Sequence, residues 1–255
     1  MPFKRQPDDI LKELGIYEPG DIDLDLVAFS LGAEVKRSPL SYCEGSIIGT
    51  DNKAIITINK DARLSRQRFS LGHEIGHWVN DRGKNLTYRC DTNDMRQRVI
   101  RKNNFRQNVE VRANQFSAEL IMPSYIYRKY LNDRDLTTET VKYVADIFQT
   151  SITSSAIRLV EVSNKPCMLV CWGKDGNRRW FKRNTIVPED IWPYERISRL
   201  QGTFVSSNGL EVDADKWINN DGAENFTVLE SVFSNGYDHL SLIWWKDETQ
   251  LTNIN

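Results

Sequence analysis

The sequence is short of several things, and each shortage excludes a class. Of 255 residues only four are cysteine: Cys43, Cys90, Cys167 and Cys171, scattered along the chain. A disulfide-stapled secreted domain is shorter and denser in cysteine, so reduced thiols in a cytoplasmic protein are expected. Cys167 and Cys171 stand four apart in a strand-like segment. On one face of a strand they lie about 13 Å apart, too far to bridge. An excess of one charge is also missing. The 34 basic and 35 acidic side chains leave a net of −1, which excludes polyanion binding driven by bulk charge. The longest apolar run, Cys167 to Trp172, is six residues, far below a bilayer span. No apolar stretch follows the first charges, so no secretory signal is read and no membrane association is expected. Histidine is scarcest, with three in the whole chain. What remains is ordinary globular material, 40% hydrophobic and 27% charged, too apolar and too neutral for wholesale disorder.

The periodicity predicts short helices over 8–17 and 21–32, with Asp8 as the first N-cap and Pro19-Gly20 between them. Ile22, Leu26 and Phe29 give the second helix an apolar stripe. Two β-branched runs, 45–49 and 54–58, flank the polar turn at Asp51-Asn52 and predict a hairpin. A helix is expected over 63–80. A basic stretch from Asp81 to Arg106 follows, with eight Lys or Arg against three Asp. Val109, Ala113, Phe116 and Leu120 then mark another helix, stopped at Pro123. Two more helical patterns cover 138–148 and 153–162. Beyond Asn164 the text changes: six of the seven Trp lie there, among short β-type runs at 167–173, 178–183, 226–233 and 239–246. Trp244 and Trp245 are adjacent, so on a strand they point to opposite faces, and one of them is expected at a surface.

The chemistry concentrates in residues 73–77, His-Glu-Ile-Gly-His. Residues four apart share one face of a helix, so His73 and His77 can hold one Zn2+ together. Glu74, rotated about 100° around the axis, flanks the metal and can take a proton from an activated water. A catalytic site needs a third protein ligand and an open fourth position. The remaining histidine, His239, lies in the distal Trp-rich region, so a carboxylate is preferred. Glu110 is chosen over Glu119 because Asn114 follows it one turn later and can orient a ligand histidine. Cys90, between His77 and Glu110, is the thiol placed to close the site as a metal ligand or to act as a switch; an inert loop thiol is the simpler reading. The strand at 54–58, just before the zinc helix, is expected to pair with an extended substrate.

These residues resemble the ImmA/IrrE family of zinc metallopeptidases. Arg66-Gln-Arg-Phe-Ser-Leu-Gly-His-Glu-Ile-Gly-His77 is similar to the family's RxRFxxxHExGH helix. Glu110-Val-Arg-Ala-Asn-Gln-Phe-Ser-Ala-Glu-Leu-Ile-Met-Pro123 is similar to its ExxANxFAxxLLMP helix. The resemblance covers about residues 8–165. It implies an α+β chain with a minimal, thermolysin-like zincin core over 1–125. It implies a helix-turn-helix-like extension over 126–164. The composition shift near Asn164 marks a separate Trp-rich mixed α/β domain over 165–255, for sensing or docking, where some members of the family carry a GAF-like domain. The resemblance implies His73, His77 and Glu110 as zinc ligands and Glu74 as the catalytic acid/base. The implied activity is cleavage of a specific protein in the bacterial cytoplasm, a helix-turn-helix transcriptional repressor, relieving repression after stress.

The alternative is a DNA-binding transcriptional regulator that uses the 138–160 helices, with zinc in a structural role. Residues 137–163 weigh against it. They carry Lys142 and Arg158 against Glu139, Asp146 and Glu161, a net of −1 where a recognition helix should be basic. Thr153, Ser154 and Ser155 are its candidate DNA contacts, and direct DNA binding is not expected.

Overall fold

The computed structural model describes residues 4–82, 87–90, 105–197, 207–246 and 248–253; for 87–90, 105–107, 207, 250, 252 and 253 it describes the backbone only. The chain is α+β and divides into two compact units, Met1–Ile126 with Ile147–Ser151, and Tyr127–Asp146 with Ile152–Asn255.

The first unit opens with α1 (Pro7–Glu13) and α2 (Leu24–Ser30). The N-cap of α1 is Gln6, not Asp8. Pro7 takes the first helical position, where its missing N–H costs nothing, and this moves Asp8 into the first turn. Asp23 caps α2, accepting from the Asp25 and Leu26 amides at 2.9 and 3.1 Å. The stripe expected on α2 is also corrected. Leu24, Val27 and Ala28 are buried, while Leu26 and Phe29 are 65% and 77% exposed.

A four-stranded sheet follows, in the order β1-β3-β2-β4, from β1 (Ala33–Ser38), β2 (Gly45–Gly49), β3 (Ala54–Asn59) and β4 (Thr87–Cys90). The expected hairpin is β2 and β3, with Ile47 opposite Ile56 and both fully buried. β1 runs parallel to β3 and covers its other side. Both edges of β3 are therefore taken, and it cannot receive a substrate strand as expected. β4 pairs antiparallel with β2 and is the edge strand on that side among the described residues.

Against this sheet lies α3 (Leu64–Asp81), and α4 (Phe105–Ile121) packs on α3. Residues 70–81 are buried throughout, as expected of a helix covered on every side. Two glycines one turn apart allow the helices to approach. A Cβ on Gly72 would stand 2.6 Å from Ser117 Oγ, and one on Gly76 would stand 3.1 Å from Phe116 Cβ and 3.2 Å from Ala113 Cα. The apolar stripe predicted for α4, Val109, Ala113, Phe116 and Leu120, is buried. Pro123 ends α4, yet it also precedes α5 (Ser124–Leu131) directly.

The second unit holds α6 (Thr138–Ile147) and α7 (Ile152–Val162). Its five-stranded antiparallel sheet has the order β6-β5-β9-β8-β7. The strands are β5 (Cys167–Trp172), β6 (Arg178–Arg183), β7 (Ser207–Asp213), β8 (Thr227–Ser234) and β9 (His239–Trp244). Every residue of β5 is buried, so the sheet is covered on both faces. One face joins Met168, Val170, Trp172, Trp217, Ile243 and Trp245 in a core. On the other, Cys167 Sγ approaches the Val160 carbonyl of α7 at 4.0 Å. Trp244 and Trp245 are consequently both buried, and neither reaches the surface expected for one of them. Cys167 and Cys171 are free thiols, and burial pushes the Cys167 pKa up to about 12. No helix among the described residues is long and apolar enough to cross a membrane.

Candidate metal centre

The histidine spacing on α3 sets two imidazoles on the face that meets α4. The ring planes of His73 and His77 are nearly perpendicular, with centroids 4.6 Å apart. Their Nε2 atoms stand 3.0 Å from each other. Glu110, near the start of the described side chains of α4, brings Oε2 to 3.1 Å from His73 Nε2 and 3.4 Å from His77 Nε2. All three side chains are at most 2% exposed. Among the described residues these three form a group able to hold a metal ion, their ligand atoms lying within 4.8 Å of one another. Ligands about 2.0–2.1 Å from a tetrahedral zinc stand about 3.3–3.4 Å from each other. The observed triangle is close to that, and two imidazoles with one carboxylate are a donor set zinc accepts. The residues fit the ion.

Asn114, one turn beyond Glu110, places Oδ1 at 2.9 Å from His73 Nδ1. An amide oxygen only accepts, so Nδ1 donates and the Nε2 lone pair is turned toward the cluster. Glu119, further along α4, lies outside the cluster. Glu74 is fully buried between α3 and β2. Gly45 of β2 makes that space: a Cβ there would stand 2.8 Å from Glu74 Oε1.

The electrostatics of the cluster's own side chains follow from burial and pairing. Burial pulls the His73 pKa down. Burial also opposes a charge on His77, but the neighbouring carboxylates of Asp81, Glu110 and Glu74 raise its pKa to about 9. Burial works against the Glu110 carboxylate, and the two histidines overturn this and hold it well below the usual carboxylate range. The cluster thus keeps an ionised carboxylate in the interior, which only a cation beside it makes affordable.

Two groups in this region escaped the sequence reading. Asp81 stands one turn after His77, and its Oδ1 accepts from Arg112 Nη2 at 2.6 Å. The periodicity signals Asp81, since positions 73, 77 and 81 share a face. Nothing local signals Arg112. Cys90 lies on β4, where its backbone pairs with Gly45; its side chain lies outside the described residues. Most of the basic stretch does too, at 83–86 and 91–104. Of the hydroxyls considered for DNA contact, Ser155 is fully buried and Thr153 accepts from Asn235 Nδ2 at 3.0 Å.

A buried His-His-Glu cluster on two close-packed helices beside a small sheet, with a further carboxylate next to it, defines the class of a candidate metal centre. Comparison with known proteins makes it specific. The model of the IrrE N-terminal-like domain matches residues 28–160, just over half the chain, and the protein belongs to that family. It is similar to the radiation response metalloprotease IrrE of Deinococcus radiodurans, with 28% identity over 148 residues, 58% of this chain. The match spans 43% of that relative's length. Among solved structures it is similar in fold to a Mycobacterium tuberculosis transcriptional regulator. That likeness has a TM-score of 0.55 and 12% identity, over 93% of this chain and 74% of the other.

Proposed function

We propose that this protein is a zinc-dependent endopeptidase. The observation that carries the reading is the buried triangle of His73, His77 and Glu110, with edges of 3.0, 3.1 and 3.4 Å. These three residues hold the ion, and Glu74 is the general base and acid. Family membership and the similarity to a metalloprotease support it.

Zinc at this site would supply Lewis acidity for the scissile carbonyl and the attacking water. Glu74 accepts the proton of that water and delivers it to the leaving amine. Glu74 is one residue from His73 and fully buried, so it stands beside the cluster out of bulk water. Asn114 orients His73. With β3 enclosed, an extended substrate pairs by strand addition at β4, the edge strand among the described residues.

The functional division follows the family resemblance. Residues 1–125 form a minimal zincin core, 126–164 a helix-turn-helix-like extension, and 165–255 a GAF-like sensor or docking domain. The five-stranded antiparallel sheet of the last supports a self-contained domain. The substrate is a helix-turn-helix repressor in the bacterial cytoplasm, cut in a stress response; the radiation response of the relative supports this. Glu74→Gln keeps the shape and removes the proton acceptor. It is expected to retain zinc and lose cleavage of the repressor substrate altogether. Undiminished cleavage by the variant would sink the proposal.

A further inference from the structure

His77 faces the cluster with Nε2, and its other nitrogen is turned away from it. Nδ1 stands 3.7 Å from Asp81 Oδ2, an ion-pair separation rather than a finished hydrogen bond. Asp81 is itself held: its Oδ1 accepts a short, charge-assisted hydrogen bond from Arg112 Nη2 at 2.6 Å. Asp81 is 1% exposed. Arg112 has a side chain 13% exposed and lies two residues beyond Glu110 on α4. The two helices that carry the ligands therefore each give one member of this pair. His73 has its own partner in Asn114. A neutral amide stands behind one histidine and a carboxylate behind the other.

We infer that Asp81 and Arg112 are positioning residues of the metal centre. Asp81 keeps His77 in the tautomer that carries its proton on Nδ1, which leaves the Nε2 lone pair toward the metal. Arg112 acts through Asp81, fixing the carboxylate and joining the helix of the histidines to that of Glu110. The inference rests on the reading of His73, His77 and Glu110 as metal ligands. A carboxylate behind a ligand histidine sets the ring's orientation and raises its basicity, and losing one lowers metal affinity about 10- to 100-fold. A pair that only tied the helices would change the stability of the metal-free protein and leave the affinity where it is.

The test is zinc affinity of the full chain, by competition with a chromophoric chelator, with folding checked by circular dichroism. Wild type is expected to bind one zinc. Asp81→Asn should bind it about 10- to 100-fold more weakly. Arg112→Gln should weaken binding by a smaller factor. The double variant should be no weaker than Asp81→Asn alone, because one residue acts through the other. Wild type that binds no zinc overturns the ligand reading itself. Normal wild-type binding with unchanged affinity in folded Asp81→Asn overturns the positioning role. Additive losses in the double variant overturn the relay. If Asp81→Asn does not fold, Arg112→Gln decides: weaker binding supports the role, and unchanged affinity refutes it.

Discussion

The two units bury opposite things. The first places His73, Glu74, His77, Asp81, Glu110 and Asn114 in its interior, side by side. The second buries Trp172, Trp217, Trp244 and Trp245. In the second unit two of these indoles have a polar partner each: Trp172 Nε1 donates to Ser241 Oγ at 3.0 Å, and Trp217 Nε1 donates to Glu230 Oε2 at 2.6 Å. Isolated, satisfied polar groups of this kind let large aromatics fill a core. Convergent ionisable groups do the reverse. They give up hydrophobic stabilisation to hold charge where water is excluded, which is the setting of a reactive site. The convergent ionisable groups lie in the first unit and the tryptophan-rich core in the second.

Three substitutions can break or sharpen that division. The largest effect belongs to Trp217→Ala, which empties a fully buried site and removes a partner of Glu230. A loss of about 3–5 kcal/mol is expected. Denaturant unfolding should show it, while zinc affinity stays at the wild-type value. A fall in zinc affinity would erase the division. Next is Gly76→Ala, which sets a Cβ 3.2 Å from Ala113 Cα, an atom that cannot swing aside. It should cost about 1–3 kcal/mol. Because it separates α3 from α4, it should also weaken zinc binding, unlike the Trp217 variant.

The smallest effect separates a surface pair from the buried cluster within the first unit. Arg37 Nη1 and Nη2 each donate to Asp25 at 2.8 Å, but both side chains are 44% exposed. The hydrogen bond from Arg37 lowers the Asp25 pKa despite partial burial. A carboxyl whose pKa is lower in the folded state adds stability above its unfolded value, near ~3.9, and loses it as pH falls through the folded value. Solvent screening keeps the contribution of Asp25→Asn below about 1 kcal/mol. Unfolding of this variant should differ from wild type at pH 7 and converge with it in acid.

The parts of the fold written in local periodicity were legible. The β2–β3 hairpin and the α3 helix follow from β-branched runs and from the His-Glu-Ile-Gly-His spacing. The choice of Glu110 over Glu119 followed from the position of Asn114. Other elements hide their period. β1 carries Glu34, Lys36 and Arg37 among six residues, so its alternation does not read as a strand. Pro123 reads as a stop, but a proline suits the approach to a new helix equally well, and α5 was lost. The fates of Leu26, Phe29, Trp244 and Trp245 depended on which neighbours cover a face. Arg112 became part of the site only because α4 lies against α3. Such facts are tertiary and have no local signal.

The central claim is that the buried polar cluster of the first unit is a zinc site whose proton is moved by Glu74. The most direct measurement is a zinc count by native mass spectrometry on wild type and Glu74→Gln, with cleavage assayed on the same samples. The account predicts one zinc per chain in both proteins and cleavage in wild type alone. A wild-type chain that carries no zinc, or a zinc-loaded Glu74→Gln that still cleaves, would contradict it.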